Sequence, residues 1–226
     1  MSHSLKNKFK NIRFFRWSFL KFKKLYIVFG KNIRGKNNII KNKGVFVNVK
    51  FDIKGNNNLI EIGKGTLISD VLIYIRGDRH KLKIGENCKY SGGYIWFEDK
   101  DCEIKIEKYT TIEFAQLAVT EPNKSITIGE DCMLSGEIVF RTGDSHSIID
   151  LNSKKRINYA ENINIGNHVW IGSRATILKG ADIADNCIIG INSIVTKSFP
   201  ENSLIVGSPA KVIKENVTWD RNRLYE

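Results

Sequence analysis

The four histidines of this chain are the side chains best suited to moving protons near neutral pH. His3 lies at the N-terminus, and His168 occupies the variable fourth position of a six-residue repeat described below. His80 and His146 are separated by three periods of a 22-residue repeat. We therefore expect both at the same corner of a repeating fold, three turns apart and too distant to serve one reacting centre.

His146 lies in the phrase RTGDSH, two residues after Asp144, and opens a long polar stretch. A carboxylate beside an imidazole can orient the ring for proton transfer. An aspartate in such a phrase can equally cap a turn, so both roles stay open for Asp144. His80 has no such context, and we expect it to be a surface loop residue.

The cysteines show neither a CxxC pair nor the clustering of metal ligands. Three of them occupy the small position of the repeat, which predicts buried core residues and no need for disulfides. The four cysteines of the chain are Cys88, Cys102, Cys132 and Cys187. The histidine spacing also excludes three histidines converging on one zinc ion, as a carbonic anhydrase of repeating β architecture requires.

Internal repeats dominate the rest of the chain. From Ile165 to Val195 an aliphatic residue returns at every sixth position. Upstream the aliphatic positions stand 22 residues apart, at Ile40, Ile62, Ile84, Ile106 and Ile128. Four residues after most of these isoleucines sits a small residue, such as Thr66 or Thr110. The pattern predicts an all-β parallel solenoid of about seven coils, in which the branched residues stack inward and the small residues turn the corners.

The repeat also sets the expected organisation of the chain. Residues 37–200 should form the solenoid, interrupted by a long loop over residues 143–162, where function is expected. Residues 201–226 should cap the rod with a short helix. Residues 1–36 precede the repeat and form a basic extension.

The basic extension is expected to be an amphipathic helix. Residues 1–51 contain 14 Lys and Arg and no acidic residue, although the net charge of the whole chain is only +12. Charges interrupt every apolar run, so neither a signal peptide nor a membrane span fits. Residues 5–29 could lie on an anionic membrane surface, or pack their aromatic side chains on the solenoid or on a partner subunit. We expect a cytoplasmic protein, at the inner membrane face if this segment binds lipid, and no nucleic-acid partner because no recognised module accompanies the charge.

The phrases RTGDSH, INIGNHVWIGS, SIVTK and GSPAKVI follow one another over residues 128–214. In this order and spacing they resemble the hexapeptide-repeat acyltransferases, in particular the branch of galactoside and maltose O-acetyltransferases and of capsule or O-antigen O-acetyltransferases. The resemblance implies a left-handed parallel β-helix and a homotrimer with active sites between neighbouring prisms. It also implies coenzyme A in a groove beside the C-terminal coils and a histidine that takes the acceptor's proton.

The resemblance further implies roles for individual residues. His146 stands where the family has its general base, and the backbone amide of Ser173 would hold the oxyanion. Residues matching those along coenzyme A are Trp170 and Ser173 at the thioester, Ile191, Thr196 and Lys197 along the pantetheine arm, and Lys211 and Lys214 at the phosphates. No metal is implied.

The expected activity is that of an acetyl-CoA-dependent O-acetyltransferase acting on a sugar hydroxyl, in a surface polysaccharide or its precursor. An alternative is an N-acetyltransferase acting on an amino-sugar or a nucleotide-linked amino-sugar, because such relatives use the same prism and a similar histidine. A second alternative is a binding rod that has lost catalysis, although the intact motif series argues against it.

Overall fold

The recurring isoleucines form an internal ladder of a parallel β-helix in the computed structural model, which describes residues 27–225. Strand pairing aligns Ile62, Ile84, Ile106, Ile128, Ile165 and Ile183. Ile40 does not belong to this ladder, because it pairs with Ile60 and leaves Asn42 opposite Ile62. The first coil is two residues shorter than the 22-residue coils that follow it. Side chains alternate between the two faces of a strand, so a shift of two residues keeps the same side chains pointing inward.

The rod has three faces, and a typical coil contributes one short strand to each. Face 1 contains β2 (Ile39–Asn42), β4 (Leu59–Ile62), β7 (Lys81–Ile84), β10 (Glu103–Ile106), β13 (Ser125–Ile128), β16 (Ile163–Ile165) and β19 (Asp182–Ile183). Face 2 contains the first half of β3 (Val45–Lys54), then β5 (Leu67–Ser69), β8 (Lys89–Tyr90), β11 (Thr111–Ile112), β14 (Met133–Leu134), β17 (Trp170–Ile171), β20 (Ile188–Ile189) and β22 (Ser203–Gly207). Face 3 contains β1 (Ile27–Arg34), the second half of β3, β6 (Val71–Arg76), β9 (Gly93–Phe97), β12 (Ala115–Val119), β15 (Ile138–Arg141), β18 (Thr176–Leu178) and β21 (Ile194–Val195). The solenoid therefore has about eight turns rather than seven.

The rod begins earlier than the sequence predicted. Residues 27–34 were expected in the helical extension but form β1, which runs parallel to β3. This pairing gives hydrogen-bond partners to the edge of β3. In addition, Asn32 Nδ2 donates a hydrogen bond to Asp52 Oδ1 at 3.0 Å. The helical assignment is wrong for these residues, while residues 1–26 lie outside the described residues. No helix within residues 27–225 is long and apolar enough to cross a membrane.

The predicted C-terminal helix is also wrong. The last coil is followed instead by β23 (Ala210–Glu215), which pairs antiparallel with β22. Branched residues such as Ile205 and Val212 favour strands, and Gly207 adopts a φ of 104° where the chain turns. Residues 216–225 have no regular structure and contact face 2, where Arg221 donates to Asp131 Oδ1 at 3.0 Å.

The small residues predicted at the corners do point inward. Thr66 is fully buried, and its hydroxyl donates to the Gly85 carbonyl at 2.6 Å and accepts from the Cys88 amide at 3.0 Å. The hydroxyl of Thr110 repeats this arrangement two turns further along. These hydroxyls link adjacent coils at the corner between faces 1 and 2, where the strands end.

The four cysteines are free and buried, which confirms their prediction as core residues. Burial raises the pKa of the Cys102 and Cys132 thiols to about 11. Their side chains fill the rod rather than a reactive site.

Candidate active site

The long loop between β15 and β16 folds back on itself at the corner between faces 3 and 1. Ile149 and Arg156 form an isolated antiparallel bridge, and the Ile157 amide donates to the Ile148 carbonyl at 2.9 Å. The loop is therefore a small hairpin standing on a rigid rod, an arrangement that can hold a functional side chain in place.

Asn158 ties the two ends of this hairpin together. Its side chain is 6% exposed, and its Nδ2 donates to Asp144 Oδ2 at 2.7 Å and to the backbone carbonyl of His146 at 2.8 Å. Its Oδ1 accepts from the Ile148 amide at 2.7 Å and from Arg156 Nε at 3.2 Å. All four hydrogen bonds of the amide group are thus made within the loop. Sequence reasoning missed Asn158, whose only signal is its place in the polar stretch RINYAEN.

His146 is one of the residues that line a cavity of about 450 Å³ beside this hairpin. The cavity is lined by residues of β9, β12 and β15 and by the start of the loop: Tyr94, Trp96, Glu98, Asp99, Ala118, Thr120, Glu121, Arg141, Gly143, Asp144, Ser145, His146, Ser147 and Arg156. The His146 side chain is exposed, and neither ring nitrogen has a hydrogen-bond partner within residues 27–225. An imidazole in this position can take a proton from a ligand in the cavity.

The Asp144 carboxylate binds Lys179 and Asn158 rather than the His146 ring. Its Oδ2 accepts from Lys179 Nζ at 2.5 Å and from Asn158 Nδ2 at 2.7 Å. The hydrogen bond from Lys179, followed by that from Asn158, lowers the pKa of this carboxyl group. No hydrogen bond joins Asp144 to the imidazole, so its contact with His146 runs through Asn158 and the loop backbone.

A second ion pair fixes the other side of the loop. Arg156 binds the Glu121 carboxylate on the preceding coil, and its Nη2 also donates to the Asn158 carbonyl at 3.0 Å. Burial alone would raise the pKa of Glu121, but its hydrogen bond with Arg156 helps to lower it on balance. Arg156 was not singled out from the sequence, whereas Glu121 was a candidate because it lies near His146 on the adjacent coil.

A second cavity of about 280 Å³ adjoins the first at Arg141, Gly143 and Asp144. It extends along the C-terminal coils to Lys179 and Thr196. One of the predicted coenzyme A residues therefore lies in a cavity that shares a wall with the cavity of His146.

The other predicted cofactor residues lie elsewhere on the chain. Trp170 is on face 2, whereas Ser173 and Ile191 lie at the corner between faces 2 and 3, away from His146. Trp170 and Ile191 are 37% and 64% exposed, and the Ser173 amide has no hydrogen-bond acceptor within residues 27–225. Lys197, Lys211 and Lys214 are exposed near the C-terminal end of the rod. One chain does not bring Trp170, Ser173 and His146 together.

His80 is not the surface residue that the sequence suggested. It is fully buried at the corner between faces 3 and 1, where Asn58 and Cys102 hold the equivalent positions of the neighbouring coils. The Cys102 amide donates to His80 Nδ1 at 3.3 Å, and the ring lies 5.2 Å from that of Phe97. Burial lowers the pKa of His80. The expectation is wrong because this corner position points inward.

His168 also has structural partners. Its Nδ1 lies 2.8 Å from Asp131 Oδ2, its Nε2 lies 2.9 Å from the Trp219 carbonyl, and its ring stacks on that of Trp219 at 4.3 Å. Trp219 in turn lies 6.3 Å from the ring of Trp170. His168 therefore holds the C-terminal tail on face 2. Within residues 27–225 no three His, Cys, Asp or Glu side chains are grouped as metal ligands.

Known proteins with similar sequences support the expected family. The polysialic acid O-acetyltransferase of Neisseria meningitidis is 39% identical over 168 residues, which is 74% of this chain and 77% of that protein. The polysialic acid O-acetyltransferase of Escherichia coli O1:K1 is 37% identical over 140 residues, which is 62% of this chain but only 45% of the longer relative. No protein-family model matches the chain.

The fold has a close match among solved structures. The polysialic acid O-acetyltransferase OatWY superimposes with a TM-score of 0.79 at 34% identity, covering 87% of this chain and 91% of the other. Both comparisons therefore cover more of the chain than the motifs of residues 128–214. The chain belongs to the hexapeptide-repeat acyltransferases, as a left-handed parallel β-helix of their O-acetyltransferase branch.

Proposed function

We propose that this chain transfers an acetyl group from acetyl-CoA to a hydroxyl of a surface polysaccharide or its precursor, with His146 as general base. The observation that supports this most is the exposed imidazole of His146 in a cavity that adjoins a second one reaching Thr196. The first cavity suits an acceptor sugar, and the second suits the arm that carries the acetyl group. The named activity of the relatives agrees with this division.

The proposed reaction needs one proton carrier. His146 takes the proton of the acceptor hydroxyl as the hydroxyl oxygen attacks the thioester carbonyl carbon. The negative charge that develops on the carbonyl oxygen needs a hydrogen-bond donor, and the free amide of Ser173 is a suitable group. The carbon–sulfur bond then breaks, and the imidazolium returns its proton to the leaving thiolate. The products are the acetyl ester and coenzyme A.

The amide of Ser173 can serve this reaction only if a second chain supplies it. Ser173 and Trp170 lie on a different side of the prism from His146. Each chain therefore contributes His146 to one active site and Ser173 and Trp170 to another. The hairpin beside His146 also presents a group of exposed apolar side chains: Ile148, Ile149, Leu151, Ile157 and Tyr159. Such a patch favours contact with another protein surface. We therefore include in the proposal a homotrimer whose active sites lie between neighbouring prisms.

A sugar hydroxyl is a better candidate acceptor than an amine. The relatives that cover most of the chain are O-acetyltransferases by name. No separate observation favours the N-acetyltransferase alternative. The names of these relatives give polysialic acid, a sugar polymer, as their acceptor, so a polymer or its precursor is the proposed acceptor of this chain as well.

Two further parts of the proposal concern the surroundings of the enzyme. The cytoplasm supplies acetyl-CoA, which makes it the proposed location. Contact of residues 5–29 with the membrane is proposed from their charge alone. Co-sedimentation with vesicles of anionic lipid should retain the full chain and lose a variant that begins at residue 27.

The central proposal is tested by following thiol release from acetyl-CoA. Acidic and neutral bacterial polysaccharides, free amino-sugars and nucleotide-linked amino-sugars should each be offered as acceptor. We expect release with a polysaccharide and an alkali-labile ester in the product. Release with amino-sugars alone, giving a stable amide, would replace this proposal by the N-acetyltransferase alternative.

A further inference from the structure

The wall of the His146 cavity contains a row of side chains that no part of the proposed chemistry uses. Strand pairing on face 3 places Tyr74 beside Trp96, Trp96 beside Ala118, and Ala118 beside Arg141. Trp96 is turned outward because Ile95 and Phe97, its neighbours in β9, are buried. The row therefore runs along the rod on its outer surface and ends at the start of the loop that carries His146.

Trp96 is held as a flat platform by its neighbours. Its ring stacks on that of Tyr74 with the ring centroids 3.9 Å apart and an interplanar angle of 24°. The guanidinium of Arg76 lies 3.7 Å from the centre of the Tyr74 ring, and Arg76 also binds Asp52 Oδ2 at 2.8 Å. This stack fixes the orientation of Trp96.

The other side of Trp96 faces the cavity. Trp96 and Ala118 line the cavity, whereas Tyr74 does not, so the indole ring separates Tyr74 from the open space. Ala118 is 5% exposed and has only a methyl side chain, so it forms the floor of a gap between Trp96 and Arg141. Strands lie about 4.8 Å apart, so residues two strands apart are separated by roughly 10 Å. Carbon atoms touch at about 3.5–4.0 Å, so one saturated ring can lie between Trp96 and Arg141.

Arg141 supplies a free positive charge at the far side of this gap. Its side chain is exposed and makes no hydrogen bond or ion pair with any of residues 27–225. The other cations of the cavity wall and its border are occupied, because Arg156 binds Glu121 and Lys179 binds Asp144. A planar guanidinium with unused donors is well suited to a carboxylate, which it can bind through two hydrogen bonds.

We infer that Trp96, Ala118 and Arg141 form a subsite for a carboxylated sugar of the acceptor polymer. The sugar ring lies over Ala118 with its apolar face on Trp96, and its carboxylate binds Arg141. The inference rests on the proposed function, since it assigns the acceptor to the cavity of His146. It makes the acceptor an acidic glycan and makes Arg141 the residue that selects for acidity.

The acidic side chains of the cavity do not oppose this arrangement. Glu98 and Asp99 lie closer to the corner than Trp96 does, at the end of β9. The Glu121 amide donates to the Asp99 carboxylate at 2.8 Å, which offsets part of its charge. Glu98 is the one acidic residue of this wall with no partner among the described residues, and its carboxylate can accept hydrogen bonds from sugar hydroxyls.

The test compares acceptors that differ only in charge. The wild-type protein is assayed with polysialic acid, with a uronic acid polymer, and with the same polymers after reduction of their carboxyl groups to alcohols. We expect at least one acidic polymer to be acetylated and its reduced form to show a KM about 10- to 100-fold higher, from loss of a charge-assisted contact. Arg141→Ala should raise the KM for the acidic polymer by a similar factor and leave the KM for the reduced polymer unchanged.

The variants also separate this subsite from a coenzyme A contact. Trp96→Ala should raise the acceptor KM by about tenfold, and Trp96→Phe should restore most of it, because a flat ring remains. The KM for acetyl-CoA should stay the same in all three variants, and Arg79→Ala, which removes an exposed arginine outside both cavities, should have no effect. A KM change for acetyl-CoA alone in Arg141→Ala, or equal use of acidic and reduced polymers, would overturn the inference. Absence of thiol release with every glycan would instead refute the proposed function.

Discussion

The side-chain amide of Asn158 lies 2.8 Å from the backbone carbonyl oxygen of His146 and 2.7 Å from the carboxylate of Asp144. Asn158 therefore joins His146, the proposed base, to Asp144. This arrangement assigns Asp144 to the loop backbone rather than to the imidazole. We therefore propose that Asp144 and Asn158 act as positioning residues for His146.

Asn158→Ala should therefore lower turnover without abolishing it. The substitution leaves the His146 carbonyl and the Ile148 amide without their partners and loosens the hairpin. We expect kcat to fall about 10- to 100-fold, since a misplaced catalytic group is costly, while the KM for acetyl-CoA changes little. Steady-state kinetics and a melting curve of the same sample would check this. A fall in kcat that simply follows loss of folded protein would contradict a positioning role.

His146→Ala should lower kcat more than Asn158→Ala does, with little effect on binding. Removing a general base typically costs about 10²–10⁴ in rate, and the exposed side chain has no hydrogen-bond partner to lose among residues 27–225. Binding of coenzyme A, measured by calorimetry, should be nearly unchanged. His80→Asn is the matched control, because Asn58 holds the equivalent position one coil earlier. Equal losses of kcat in the two variants would argue against His146 as the base.

His80 should make the fold sensitive to mild acid. Burial lowers the pKa of His80 in the folded protein below its ordinary value of 6.5. Above pH 6.5 the His80 ring is neutral in both the folded and the unfolded state. Below pH 6.5 the ring becomes protonated in the unfolded chain but stays neutral in the folded chain. The free energy of unfolding should therefore fall as the pH drops below 6.5, until the folded pKa is passed. Urea titrations at a series of pH values should show a smaller fall for His80→Asn than for the wild type.

The cysteines should be unreactive in the native protein. All four are buried, and the pKa of Cys102 and of Cys132 is raised to about 11, so the reactive thiolate is scarce at neutral pH. Ellman's reagent should give almost no colour with the native protein and should titrate all four thiols after denaturation. Rapid native reaction of one thiol would show that its coil opens locally.

The fold could be predicted from the sequence because the solenoid repeats one physical rule. Most inward positions are branched or small, although Tyr90 and Phe97 are also buried, so Ile84, Thr110 and their equivalents report the register directly. The ends of the rod follow no such rule. Residues 27–34 become a strand because the edge of β3 needs a partner, and that requirement is invisible in their own composition.

The site was only partly predictable for a related reason. His146 was proposed from its motif and lies beside a cavity, but Asn158 and Arg156 make contacts across a non-repeating hairpin, and no periodicity marks them. His80 was misjudged because counting residues gives the corner but not the direction of the side chain. Arg141 is marked out only by its lack of partners within residues 27–225 and by its place opposite Trp96, both of which require coordinates.

Mixing two inactive variants should restore activity if the site is built between chains. His146→Ala removes the base from one side of the prism, and Trp170→Ala removes a side chain from another side that the proposal assigns to the neighbouring site. In a cyclic trimer each site would take His146 from one chain and Trp170 from the next. Coexpression in equal amounts would then leave about a quarter of the sites intact, if the chains mix at random. Thiol release by the copurified mixture should approach that fraction of the wild-type rate, whereas each variant alone stays inactive. If the mixture is no more active than its components, His146 and Trp170 do not meet across a subunit boundary, and the donor of the oxyanion hydrogen bond must be sought on the same chain as His146.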